Sequence, residues 1–284
     1  MKFTKMQGAG NDYIYFNTFE EPVENPKALS ILLSDRHFGV GGDGIVLIGK
    51  SAAADFSMRM FNADGSEAGM CGNASRCVGK FVHDKGLTSK TEISLETKSG
   101  VKYLQLFKDE ARGTIASVRV DMGPAILDSA QIPVVYNGLP SVVNQPIVVD
   151  GREYRITCVS MGNPHAVVFM KGIDDLKIEA VGPQFENHPA FPQRTNTEFI
   201  EVINPNTLKM RVWERGSGET LACGTGACAA AVASVLNGFT EPKVSVKLRG
   251  GELEIEWKQQ ENRVYLTGGA EFVFEGEIAD IPNF

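Results

Sequence analysis

Cys71 and Cys223 stand in matching contexts, Met70-Cys71-Gly72-Asn73 and Ala222-Cys223-Gly224-Thr225. Each closes a Gly-rich turn, and each is followed by a helical pattern, about 73–85 and 225–237. A helix N-terminus offers unpaired backbone N–H groups and the positive end of a dipole. A thiol placed there is expected to have its pKa lowered and to exist in part as thiolate. The same N–H groups can hold a carboxylate. Two such thiols suit one reaction in particular. Racemising or epimerising an amino acid removes the Cα proton from one face and returns a proton to the other. One group begins as thiolate base and the other as thiol acid, and they exchange roles in reverse. The charge that develops on the substrate carboxylate needs preorganised donors, which two helix ends would supply.

The remaining candidates weigh less. Cys77, Cys158 and Cys228 lie within apolar helix or strand patterns and read as core residues. The odd count of five cysteines does not describe a disulfide framework, and without C-x-x-C neither a zinc site nor a disulfide oxidoreductase is expected. The run GVGGDG (39–44) follows a helix-like segment, 28–36, rather than a strand, so it reads as a turn and not a phosphate loop. Asn11, Asn62, Asn163 and Asn196 sit beside Gly, Pro or Asp. Both a turn role and a role as polar groups around a pocket stay open for them. Among the histidines, only His165 in GNPHAVV lies near a turn of this kind.

The elements that carry these residues repeat. Cys223 lies 152 residues after Cys71. The same offset sets Gly10-Asn11 on Gly162-Asn163, Met58-Arg59 on Met210-Arg211, Phe61 on Trp213, Asn62 on Glu214, Glu67 on Glu219, and Gly86 on Gly238. Strand-like alternation covers 56–61, 92–97, 101–107 and 115–121 in the first half, and 208–213, 243–248, 252–257 and 262–267 in the second. Pro205-Asn206 and Asn137-Gly138 read as hairpin turns. The second helix carries no charge on any side and must be covered all round. The first keeps Arg76, Lys80, His83 and Lys85, so its far end is expected to reach solvent. The fold class that follows is α+β: two similar, repeated domains, each a barrel-like, mostly antiparallel sheet around one central helix. PAIL (124–127) and EFVF (271–274) end the halves at equivalent places. The expected domains are therefore 1–123 with 271–284, and 124–270, the C-terminal segment returning to the first.

Composition bounds the partners. A length of 284 residues fits two domains. Lys and Arg number 28 against 35 Asp and Glu, a net charge of −7, which argues against nucleic acid and against a polybasic membrane anchor. The longest uncharged run, 220–240, is too poor in large apolar residues for a membrane span. The N-terminal stretch lacks the apolar run of a signal peptide, so a cytoplasmic location is expected.

GAGNDYI (8–14), FNADGSEAGMCGNASRC (61–77), MGNPHAV (161–167), RTNTEF (194–199) and WERGSGETLACGTGAC (213–228) together resemble the diaminopimelate epimerases, in the same order and over nearly the whole chain. The resemblance implies two similar domains with the active site between them, and interconversion of LL- and meso-2,6-diaminopimelate for lysine and peptidoglycan synthesis. It also implies no pyridoxal phosphate, metal or other cofactor, a small-molecule substrate, and a homodimer. It makes Cys71 and Cys223 the catalytic thiols, with His165 and Glu214 assisting proton transfer. It gives Gly72, Asn73, Gly224 and Thr225 the backbone amides for the reacting carboxylate. Asn11, Asn62, Asn163, Asn196 and Arg215 would recognise the amino and distal groups, Arg215 by bidentate pairing with the distal carboxylate. Some members carry Gln where this chain has Gly44, so no contact is expected there. Proline and hydroxyproline racemases share the two-thiol plan, but typically have His in place of Asn73 and lack the ERGSGET lead. A non-catalytic, redox-regulated binding protein on the same scaffold is the other reading. Two thiols that serve one carbon must be close, so oxidation is expected to join Cys71 to Cys223 and stop activity.

Overall fold

The computed structural model describes residues 1–279. The chain divides into two units, Met1–Asp121 with the segment from Thr267 onward, and Met122–Leu266. In the first, β1 (Lys2–Gly8) and β2 (Asn11–Asn17) pair antiparallel around Ala9 and Gly10, both at positive φ. β2 pairs in parallel with β3 (Gly44–Gly49). Parallel neighbours need a crossover, and α1 (Pro26–Ser34) provides it. Asn25 caps α1 by accepting the Ala28 N–H at 3.2 Å, and Pro26 opens its first turn. β4 (Phe56–Asn62) returns antiparallel to β3, and the short β5 (Glu67–Ala68) folds back on β4. α2 (Gly72–Asp84) is the second crossover, leading to β6 (Glu92–Thr97) in parallel with β4. β7 (Gly100–Asp109) and β8 (Thr114–Gly123) continue antiparallel.

The second unit repeats this plan. β9 (Gln145–Val149) pairs antiparallel with β10 (Arg152–Ser160), and β10 with β11 (Pro164–Phe169). α3 (Ile178–Glu186) crosses to β12 (Asn196–Asn204), parallel to β11. β13 (Thr207–Glu214) and β14 (Gly218–Thr220) return antiparallel. α4 (Gly224–Leu236) then crosses to β15 (Lys243–Leu248), parallel to β13, and β16 (Gly251–Lys258) and β17 (Arg263–Gly268) follow. β18 (Glu271–Glu277) pairs with β1 as β9 pairs with β10, its Glu277 opposite Lys2 and its Glu271 opposite Gln7. Positions 280–284 of the expected C-terminal return lie outside the described residues.

The α+β class with repeated, mostly antiparallel halves is thus observed, and α2 and α4 start 152 residues apart as the sequence offset requires. α4 is buried from Gly224 to Ser234 except at Thr225, as a helix without charge must be. Its Ala and Gly residues let strands approach closely, and a buried side chain such as Val232 contributes about 1.5–3 kcal/mol.

Two expectations need correction. Arg76 and Lys80 do not mark a solvent-facing end of α2. Both are buried, and only Lys85 beyond the helix is exposed. Arg76 donates to Asn73 Oδ1 (2.9 Å) and the Gly269 carbonyl (3.1 Å), while Lys80 meets Asp84 at 2.9 Å. Beside its central helix each half has a shorter one: α1 packs Leu29 and Leu33 on Ile14, Ile45 and Leu47, and α3 packs Ile178 and Phe185 on Ile156 and Phe199. Asn137-Gly138 is a turn with both residues at positive φ, but no strands flank it, so it is not a hairpin.

Candidate active site

The turn before each thiol is held the same way in both units. Arg59 Nε donates to Glu67 Oε1 at 2.8 Å, and Arg211 Nε to Glu219 Oε1 at 2.7 Å. These are the Met-Arg and Glu matches of the repeat, now tying β5 to β4 and β14 to β13 just ahead of the cysteines.

In the first unit Cys71 is the N-cap of α2, with extended φ −138° and ψ 124°, and its carbonyl accepts the Ser75 N–H and hydroxyl, each at 2.9 Å. Its side chain makes no cap bond, so the thiol does not occupy the helix's first N–H groups. Cys71 is half-buried, and its Sγ donates to Asn11 Oδ1 at 3.4 Å. Asn11 Nδ2 donates to Asp43 Oδ2 at 2.7 Å, and Arg36 holds both Asp43 and Asp12. Gly72 and Asn73 give the first N–H groups of α2, while the Asn73 side chain turns inward to Arg76. Asn62 ends β4, and its Nδ2 donates to Ser66 Oγ at 3.0 Å across the turn. Gly44 lies opposite Asn62 on β3, at φ +155°, where an added Cβ would stand 2.0 Å from the Phe61 carbonyl oxygen. This backbone takes no side chain at 44.

In the second unit Cys223 is the N-cap of α4, again extended and with no cap bond from its side chain. It is 5% exposed, and its Sγ lies 3.5 Å from Thr225 Oγ1. Burial pushes the Cys223 thiol well up, the Glu214 and Glu198 carboxylates add to this, and bonds to Thr225 and the Gly226 N–H only partly oppose them. The expected lowering at a helix start is therefore reversed for Cys223, because desolvation and two carboxylates outweigh the helix end. Burial likewise pushes Glu214 above its usual carboxylate range, against hydrogen bonds from Thr220 and Cys223. His165 is fully buried on β11, with Nδ1 2.7 Å from Glu198 Oε1 and Nε2 3.0 Å from Asn163 Oδ1. Asn196 donates to the Pro164 carbonyl (2.9 Å) and accepts the Arg215 N–H (2.8 Å), which makes it a brace between β11 and the turn after β13. Arg215 Nη1 donates to the Gln193 carbonyl at 2.9 Å.

The structure thus gathers Cys71, Gly72, Asn73 and Asn11 in one unit, and Cys223, Gly224, Thr225, Glu214, His165, Asn163, Asn196 and Arg215 in the other. Asn62, the last residue of β4, bonds across the turn to Ser66. Sequence reasoning gave no role to Asp43 or Glu198, which hold Asn11 and His165. Among the described residues no group of three or more His, Cys, Asp or Glu side chains is placed to hold a metal ion. No helix is long and apolar enough to cross a membrane.

The family model "Diaminopimelate epimerase" matches residues 3–127 and 157–273. The diaminopimelate epimerase of Acetivibrio thermocellus is 58% identical over 279 residues, covering 98% of each chain. That of Desulfovibrio desulfuricans is 56% identical over 282 residues, again covering 98% of each. Among solved structures, a phenazine biosynthesis protein of the PhzF family from Bacillus anthracis matches with a TM-score of 0.69 at 17% identity, covering 99% of both chains. A hydroxyproline epimerase from Agrobacterium vitis matches with a TM-score of 0.66 at 15% identity, covering 98% of this chain and 90% of the other. These two likenesses concern the fold alone. The family match and the identities go further: this chain belongs to the diaminopimelate epimerase family.

Proposed function

We propose that this chain interconverts LL- and meso-2,6-diaminopimelate, in lysine and peptidoglycan precursor synthesis, by a two-thiol proton exchange at one α-carbon. The observation that carries the reading is a pair of free thiols, Cys71 and Cys223, at the N-caps of two equivalent helices. In this reading the repeat supplies one acid/base group for each face of the carbon. Cys223, held as thiol by burial, starts as the acid, and Cys71 as the base. Glu214, hydrogen-bonded to Cys223 and itself raised, takes or returns the thiol's proton between turnovers. The N–H groups at 72–73 and 224–225 stabilise the carboxylate as charge develops. His165 assists proton transfer. Asn11, Asn62, Asn163, Asn196 and Arg215 recognise the amino and distal groups. The chemistry calls on no cofactor. The reading extends to domains 1–123 with 271–284 and 124–270, to a homodimer and to a cytoplasmic location.

The test is Cα hydrogen exchange of LL-diaminopimelate in deuterated water under reducing conditions, with no cofactor added. Deuterium should enter one α-position as meso product forms. A folded protein that exchanges nothing would sink the reading, and exchange of proline instead would transfer it to the proline racemase class.

A further inference from the structure

Glu198 is a carboxylate that the proposed reaction does not use, and it is placed at unusual cost. It sits on β12 between β11 and β13, fully buried. Burying an ionised carboxylate costs several kcal/mol unless partners repay it. Its Oε1 meets His165 Nδ1 at 2.7 Å, while Oε2 has no hydrogen-bond partner among the described residues. The groups that face it are His165 from β11, Glu214 from β13, Cys158 from β10 and Cys223 at the start of α4. One imidazole therefore stands among two carboxyls and two thiols.

The ring's geometry is specific. Nδ1 faces the Glu198 carboxylate, and Nε2 faces Asn163 Oδ1 at 3.0 Å. The Glu198 carboxyl oxygen accepts, so Nδ1 is the ring nitrogen that donates. Gly226 keeps the carboxylate and the thiol close together. A Cβ there would lie 2.6 Å from Glu198 Oε1 and 3.2 Å from Cys223 Sγ. Only a glycine lets both atoms approach the same point.

We infer that Glu198 is a positioning residue for His165: by accepting from Nδ1–H it fixes the ring's orientation and tautomer and turns Nε2 toward Asn163 in the Cys223 half-site. This inference rests on the proposed reaction, in which His165 assists proton transfer.

The test separates this role from simple packing. In protein labelled with ¹⁵N-histidine, the His165 ring signals should show Nδ1 carrying a proton. Glu198→Gln, nearly isosteric, can also donate to Nδ1 and should let the other tautomer appear. Turnover should fall about 10- to 100-fold with KM little changed, the size of loss typical for a residue that orients an active imidazole. The nitrogen signals are read without substrate, so they stand or fall apart from the identity of the reaction. A parental His165 ring whose Nδ1 carries no proton would overturn the inference, as would a Glu198→Gln protein with parental ring signals. Should Glu198→Gln fail to fold, the parental ring signals alone still decide it.

Discussion

At the scale of residues, three of the five cysteines differ from Cys71 and Cys223 by position rather than by type. Burial pushes the Cys77 thiol up to about 11, so it stays protonated and inert. Cys71 and Cys223 share what the others lack, an N-cap place with no cap bond from the side chain. Cys71→Ala and Cys223→Ala are each expected to cut epimerisation by about 10²–10⁴-fold, the usual worth of a general acid or base. Cys77→Ala should instead lower the unfolding midpoint and keep turnover. Steady-state rates beside thermal melts measure both, and near-normal turnover in either Cys71→Ala or Cys223→Ala would break the two-base assignment. The thiols were legible because the repeat marked them twice. Glu198 was not, though a charged residue inside the otherwise uncharged stretch Phe199-Ile200 and Thr195–Thr197 was the available signal. The direction of the Cys223 shift was also hidden. A helix start is visible in sequence, but the burial and the carboxylates that outweigh it come from β12 and β13, far along the chain.

At the scale of elements, α2 shows where pattern reading meets its limit. Its charges look like a solvated face, yet Lys80 and Asp84 bond across one turn under the sheet, with side chains 8% and 4% exposed. Lys80 also donates to the Ile115 carbonyl, and the Ile115 N–H returns to Asp84, so the pair closes onto β8. The sequence gives only the i,i+4 spacing; the strand that covers it arrives some 30 residues later. α3 was hidden for another reason, since Gly182 and Pro183 interrupt its pattern. Gly182 is required because a Cβ there would stand 2.3 Å from the Trp213 ring. The expectation for α2 is energetic. Burial raises the Asp84 carboxyl, but Lys80, the Ile115 N–H and His83 outweigh it and hold the group below its ordinary value. A carboxyl held low stabilises the fold above its unfolded value, about 3.9, and that stability is lost as pH falls through the folded value. Lys80→Met leaves Asp84 buried without its cation. It should cost about 3–5 kcal/mol in urea unfolding at neutral pH. The acid loss of stability should also begin at higher pH than in the parent. An unchanged urea midpoint would show that the pair does not hold α2 to β8.

At the scale of the whole molecule, duplication explains why the chain's end belongs near its beginning. β9 precedes and pairs with β10 in the second half, and β1 has an equivalent place beside it. β18 fills it from the far end of the chain, running antiparallel to β1 with a register shift between Lys5 and Met6. Without β18, the outer N–H and C=O groups of β1 would be unpaired, and Phe3 would lose its edge-on contact with Phe274. The two tryptophans, Trp213 and Trp257, both lie in the second unit, so their emission reports on that unit, whereas far-UV circular dichroism reports on both. A chain ended at Ala270 loses a ladder of hydrogen bonds worth about 1 kcal/mol each. Its first dichroism transition should fall by about 10 °C or more, while the tryptophan transition moves far less. If the two signals shifted together, β18 would be supporting both halves alike, and its role as the first unit's missing strand would be wrong.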